Sequence, residues 1–193
     1  MNIKNKQELD EIIQYERDIY IEKLYPNPLN KNIKNKTLLF MKALRKAEYF
    51  KGKSIYKLKY IYWYMIYKLI SLITNVSIPL YVFDKGLLII HLQNIVVSSE
   101  VSVWMNCCLF HNTTIGIKMG NKKDGGKCPT IGSNVTICTG ACVLGDIYIP
   151  NNCVIAANAV VIDSFVDEKI GIGGIPAKKI SVIGDWELQI WGD

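Results

Sequence analysis

Cut every six residues, positions 131–166 read IGSNVT, ICTGAC, VLGDIY, IPNNCV, IAANAV and VIDSFV. The first position is always aliphatic: Ile131, Ile137, Val143, Ile149, Ile155 and Val161. The fifth is Val135, Ala141, Ile147, Cys153, Ala159 and Phe165. Two coupled series running without a gap mark a solenoid built from hexapeptides. Two side chains of each hexapeptide point inward, and the rest form a short strand and a turn. Three such sides close one coil of about 18 residues. Coils stack at roughly 4.8 Å, the interstrand distance, and bury their aliphatic residues against the coils above and below. Gly132, Gly140, Gly145 and Asn152 suit the tight corners, where positive φ is useful.

A second block lies upstream: Val97, Val103, Leu109 and Ile115, with Val101, Cys107 and Thr113 four residues on. Ile115 and Ile131 are 16 residues apart, which is not a multiple of six. Residues 116–130 (GIKMGNKKDGGKCPT) must therefore hold a loop inserted into the repeat, and their Gly and Lys content agrees. Val161-Ile162 and Phe165-Val166 close the repeat. Residues 167–193 are expected as a tail, with Gly171, Gly173, Gly174 and Pro176 preventing further regular structure.

The period differs before residue 80. Leu9, Ile12, Ile13, Ile19 and Tyr20 recur at helical spacing, predicting a helix over 5–22 that stops at the YPNP of 25–28. Further helices are predicted over about 37–50 and 54–73. The fold class is thus mostly β. It comprises a parallel β-helix at 81–181 with its inserted loop at 116–130, an N-terminal α-helical module at 1–80 and a C-terminal tail at 182–193.

Charge divides along the same line. Residues 1–86 hold 16 of the 23 Lys and Arg but 8 of the 17 Asp and Glu, giving +8 against −2 for the remainder. A basic module attracts anionic partners, but no nucleic-acid-binding motif accompanies it. The stretch YIYWYMIY at 60–67 is interrupted by flanking Lys57, Lys59 and Lys68, which a membrane-spanning helix tolerates poorly. The helix at 54–73 is expected to pack on a neighbour or to lie on a membrane surface. The polar, charged N-terminus and six unpaired cysteines suggest a cytoplasmic, reduced setting, with peripheral membrane contact through 54–73 as an option. No CxxC pair exists, and there are only two histidines, so no metal site is expected.

Several segments resemble the left-handed β-helix acyltransferases, especially the serine acetyltransferases and the O-acetyltransferases of surface polysaccharides. They are TIG at 114–116, PTIGSNVTICTGACVLGDIYI at 129–149, IAANAVV at 155–161 and GGIPAKKI at 173–180. RKAEYF at 45–50 and SIPLYVFDKGLLIIH at 77–91 extend the likeness, which spans about residues 40–181. The resemblance implies left-handed coiling, a homotrimer with active sites between subunits, and acetyl-CoA as co-substrate.

Acyl transfer to a hydroxyl needs a base that takes its proton as the thioester is attacked. Histidine suits this, with an unperturbed pKa near 6.5. His91 and His111 are the only candidates, and their separation of 20 residues places them on adjacent coils near one corner. His91 also lies six residues before Val97, where the frame expects an aliphatic side chain. Either the register breaks there or the ring turns into a cleft. The resemblance makes His91 the general base and His111 a second catalytic position. Asp84 and Glu100 are candidates to orient His91.

Thr139 and Ala157 are 18 residues apart and should stack on one corner. In relatives, backbone groups at such positions meet the pantetheine arm. Lys178 and Lys179 follow Pro176 and could meet CoA phosphates. The chain departs from serine acetyltransferases at their second active-site histidine, which is Cys128 here, and around the base, where it has Ile90, Leu92 and Gln93. It has Ile162-Asp163 where relatives have Thr-Lys, and its helical module is shorter. Cys128, beside Lys122, Lys123 and Lys127, is a candidate reactive thiol. The expected activity is acetyl-CoA-dependent O-acetylation of a surface-polysaccharide sugar or its precursor. The alternatives are O-acetylation of free L-serine, or a non-catalytic β-helix scaffold.

Overall fold

A computed structural model describes residues 3–24, 36–118 and 126–183. The proposed helix stop at 25–28, Lys122, Lys123 and residues 184–193 lie outside these residues. Three helices come first: α1 (Lys6–Leu24), α2 (Lys36–Phe50) and α3 (Lys57–Thr74), the last entered through a 3-10 turn at Ser54–Tyr56. Thirteen strands follow among the described residues, eleven of them two or three residues long.

These strands stack into the three faces of a prism. The first face holds β1 (Leu88–Ile89), β4 (Cys108–Leu109), β7 (Thr136–Ile137), β10 (Val154–Ile155), β12 (Ile170–Gly174) and β13 (Ala177–Val182). The second holds β2 (Val96–Val97), β5 (Thr114–Gly116), β8 (Cys142–Leu144) and β11 (Val160–Val161). The third holds β3 (Ser102–Val103), β6 (Thr130–Ile131) and β9 (Tyr148–Ile149). All pairs are parallel except β12–β13. Every aliphatic at the first hexapeptide position is buried, as are Val135, Ala141, Ile147, Cys153 and Ala159 at the fifth. Phe40, Met41, Leu44 and Tyr67 from the helices join the same continuous core.

The corners run on asparagine. Asn94, Asn106, Asn112, Asn134, Asn152 and Asn158 all adopt positive φ, between 51° and 60°. Asparagine tolerates this conformation because its short amide can bond locally. Here the amides also bond between coils: Asn106 donates to Asn134 at 3.0 Å, and Asn134 donates to Asn152 at 2.9 Å. Tyr15 of α1 donates to Asn106 at 3.0 Å and so fastens the helical module to this column. Gly140 also sits at positive φ (74°). Gly132 does not. Its role is close approach, since a Cβ there would come within 2.9 Å of the Asn151 backbone nitrogen. Asn134→Ala is expected to cost about 2 kcal/mol, combining left-handed strain with two lost ladder bonds. Denaturant midpoints with an unchanged m-value check this.

The expectation of an irregular tail after 167 is wrong. β12 continues the first face in parallel with β10, and β13 turns back antiparallel upon it. Ile170 and Ile172 are buried and supply two more core residues. Gly171 and Gly173 leave room for Ser181 and Ile180 of β13 rather than ending the structure.

A buried ion cluster joins helices to prism. Arg45 is fully buried, and each of its five N–H donors has a partner. Nε and Nη2 donate to Glu16, at 3.0 and 2.6 Å. Nη1 donates to Glu48 (3.0 Å) and the Phe83 carbonyl (2.9 Å), and Nη2 also to the Asp84 carbonyl (2.7 Å). Glu16 in turn accepts from the backbone N–H groups of Gly86 and Leu87. Burial alone would lower the guanidinium pKa, but the carboxylates of Glu16 and Glu48 more than offset this and raise it.

Candidate active site

His91 and His111 share the corner between the first and second faces. Leu88 pairs with Cys108 and Ile89 with Leu109, so this coil is 20 residues long. The next turn of the second face, Val96 to Thr114, takes 18. The two extra residues lie between β1 and β2, in the corner 90–95. Ile89 therefore fills the aliphatic rung that the frame assigned to His91. The register break pushes His91 out of the core, where it is exposed, while Leu92 and Ile95 bury beside it. Gln93 N–H donates to the His91 carbonyl at 2.9 Å and tightens the turn.

The two imidazoles meet edge to face, with ring centroids 5.3 Å apart and an interplanar angle of 67°. His111 is half-buried, and its Nδ1 is buried without a hydrogen-bond partner among the described residues.

Thr139 and Ala157 continue the same column. Leu109 pairs with Ile137, and Ile137 with Ile155. Beyond these rungs, Gly140 N–H donates to the His111 carbonyl at 3.2 Å, and Asn158 N–H donates to the Thr139 carbonyl at 2.9 Å. His111, Thr139 and Ala157 are therefore register partners on successive coils. Ala157 is exposed, and its methyl leaves the column open there. Below it, the Ala156 N–H donates to the Ile172 carbonyl, which brings the tip of the β12–β13 hairpin to the column's end. Lys178 pairs opposite Gly173 at that tip. Lys178 is exposed, and among the described residues it has no ion-pair partner. Lys179 is instead held by Asp167 at 2.7 Å.

Other expectations fail on position. Asp84 lies at the corner between the third and first faces, bridged through Phe83 to Val103, and Glu100 lies at the corner between the second and third. Neither shares the corner of His91. The described ends of the insertion, after Gly116 and before Thr130, lie at the corner of Glu100 rather than at that of the histidines. Cys128 is buried at its return, with the Pro129 carbonyl accepting from Ser102 N–H. Lys127 pairs with Asp146. Burial pushes the thiols of Cys107 and Cys108 well up, which makes them packing residues.

No family model matches the chain. A serine acetyltransferase of Staphylococcus epidermidis is 34% identical over 120 residues, covering 61% of this chain and 54% of that protein. One of Buchnera aphidicola is 27% identical over 193 residues, covering 87% and 72%. The matched regions span 35% and 54% of the first two curated relatives. Among solved structures, a serine acetyltransferase from Brucella abortus in complex with coenzyme A superposes with a TM-score of 0.74 at 22% identity, over 93% of this chain and 70% of that one. The fold is thus that of these solved serine acetyltransferases, a left-handed β-helix. In sequence and architecture the chain is similar to serine acetyltransferases.

Proposed function

We propose that the chain is an acetyl-CoA-dependent O-acetyltransferase acting on the hydroxyl of free L-serine. The observation that carries the reading is the single column His91–His111–Thr139–Ala157, which ends at Lys178. Two imidazoles stand at one end, an open line of small corner residues follows, and a free cation closes the other. Five interstrand spacings of about 4.8 Å, from β1 to β13, make this roughly 24 Å long. From the sequence alone a glycan hydroxyl is the expected acceptor. The relatives carry the name serine acetyltransferase, and this favours the small acceptor.

The open column fits an extended thioester carrier. Thr139 and Ala157 would flank its arm, and Lys178 would meet its phosphates as a point charge. Bound there, acetyl-CoA supplies an activated acetyl carbonyl. His91 takes the proton of the serine hydroxyl as its oxygen bonds that carbonyl, then returns the proton to the departing thiolate. His111 braces the His91 ring through their edge-to-face contact. The resemblance adds a homotrimer to this reading, which sedimentation equilibrium would test.

The carrier end has its own test. Ala157→Tyr should raise KM for acetyl-CoA at least tenfold with Tm unchanged, because the exposed methyl becomes a ring across the column. Lys178→Gln should raise it about fivefold at low salt, roughly 1 kcal/mol, and Lys179→Gln less than twofold. Unchanged KM in Ala157→Tyr would remove the column as carrier site.

A further inference from the structure

We infer that α3 seats the protein on an anionic lipid surface. The helix buries one side only. Tyr67 is buried, and Trp63, Tyr64, Ile66 and Ile70 pack against the main core. The opposite side is bare: Leu58 is 82% exposed, Met65 65%, Leu69 58%, Leu72 77% and Ile73 70%, with Ile61 and Tyr62 completing the stripe. At about 100° per residue these side chains fall on one arc of roughly 120°. A soluble protein seldom leaves so continuous an apolar strip uncovered.

The borders of the strip are cationic. Lys57 and Lys68 fall along one edge and Lys59 along the other, and α3 contains no acidic residue. Lys42 and Lys46 of α2 reach over the Trp63 ring, at 5.9 and 5.0 Å. Burial and then the neighbouring Lys42 lower the Lys46 pKa, as expected where cations crowd. An apolar arc bordered by lysines on both sides is the arrangement of a helix lying in a membrane interface, its stems snorkelling to the headgroups. The same charges disfavour a second copy as occupant, because two α3 helices would set lysine against lysine. The helix does not span: among the described residues no helix is long and apolar enough to cross a membrane.

Sedimentation with sucrose-loaded vesicles tests this on the full chain. Wild type should pellet at low salt with vesicles of phosphatidylcholine and phosphatidylglycerol, weakly with phosphatidylcholine alone, and less at half-molar salt. Each lysine near an anionic surface is worth about fivefold in partitioning, so Lys57→Gln/Lys59→Gln/Lys68→Gln should bind about 100-fold more weakly. Leu69→Glu/Leu72→Glu should not pellet. Circular dichroism confirms that both variants are folded. No pelleting of wild type with the anionic vesicles, or equal pelleting of the lysine variant, overturns the inference. So does a fall in solution mass of Leu69→Glu/Leu72→Glu without lipid, since that makes the strip a contact between copies.

Discussion

His91→Ala is expected to lower kcat/KM for acetyl transfer by about 10²–10⁴-fold, the usual contribution of a positioned general base. The protein should remain folded, with Tm within about 2 °C of wild type, because His91 is exposed and its corner is held by neighbours. Leu92 and Ile95 fix the corner in the core, and the Gln93-to-His91 backbone bond survives the substitution. His111→Ala should be milder, about 10- to 100-fold, and should fall mainly on kcat if the ring braces the base. Thiol release from acetyl-CoA reads both. A His91→Ala enzyme that turns over like wild type would place the base elsewhere.

Arg45→Met should lower stability by about 3–5 kcal/mol, or roughly 6–20 °C in Tm. Truncation leaves Glu16 and Glu48 buried without their cation. It also strips the Phe83 and Asp84 carbonyls of their donors, where the chain enters the first coil. The ion cluster is weak evidence of net stability, since an apolar replacement of the whole set could pack as well. Its loss one partner at a time is the costly event. Thermal melts of Arg45→Met and of Arg45→Met/Glu16→Leu/Glu48→Leu separate the two: the triple variant should recover part of the loss. Equal melting of Arg45→Met and wild type would show that the cluster does not fasten the helices to the prism.

The prism was legible because a hexapeptide repeat is local. Each inward residue reports its rung independently, so Ile131 to Val161 gave the faces without any long-range knowledge. Single departures were harder to read. His91 stood out as a polar residue on an aliphatic position. Only the pairing of Ile89 with Leu109 shows that two extra corner residues, and not a cleft within the frame, turn it outward. The hairpin β12–β13 was missed because its glycines were read as breakers, whereas they make room for a second strand. Arg45 lay inside the RKAEYF segment, yet its partners Glu16, Phe83 and Asp84 come from 29 to 39 residues away, beyond any local pattern. The asparagine columns could have been found. Asn94, Asn112 and Asn158 stand in one corner column and Asn134 and Asn152 in another, spaced within each by multiples of the 18-residue coil apart from the inserted loop, and asparagine is the non-glycine residue that best tolerates positive φ. Asp84 and Glu100 are near His91 in sequence, but on a three-sided coil a few residues suffice to reach a different corner.

The central claim is that the column from His91 to Lys178 transfers an acetyl group from a CoA thioester to a serine hydroxyl. The most direct measurement is thiol release by the purified chain given acetyl-CoA with L-serine, with mass detection of the acylated amino acid. One thiol should be released per O-acetylserine formed, at a rate lost in His91→Ala. Release only with sugar or oligosaccharide acceptors would contradict the serine assignment. Neither thiol release nor CoA binding with any acceptor would contradict the enzyme itself and leave a β-helix scaffold.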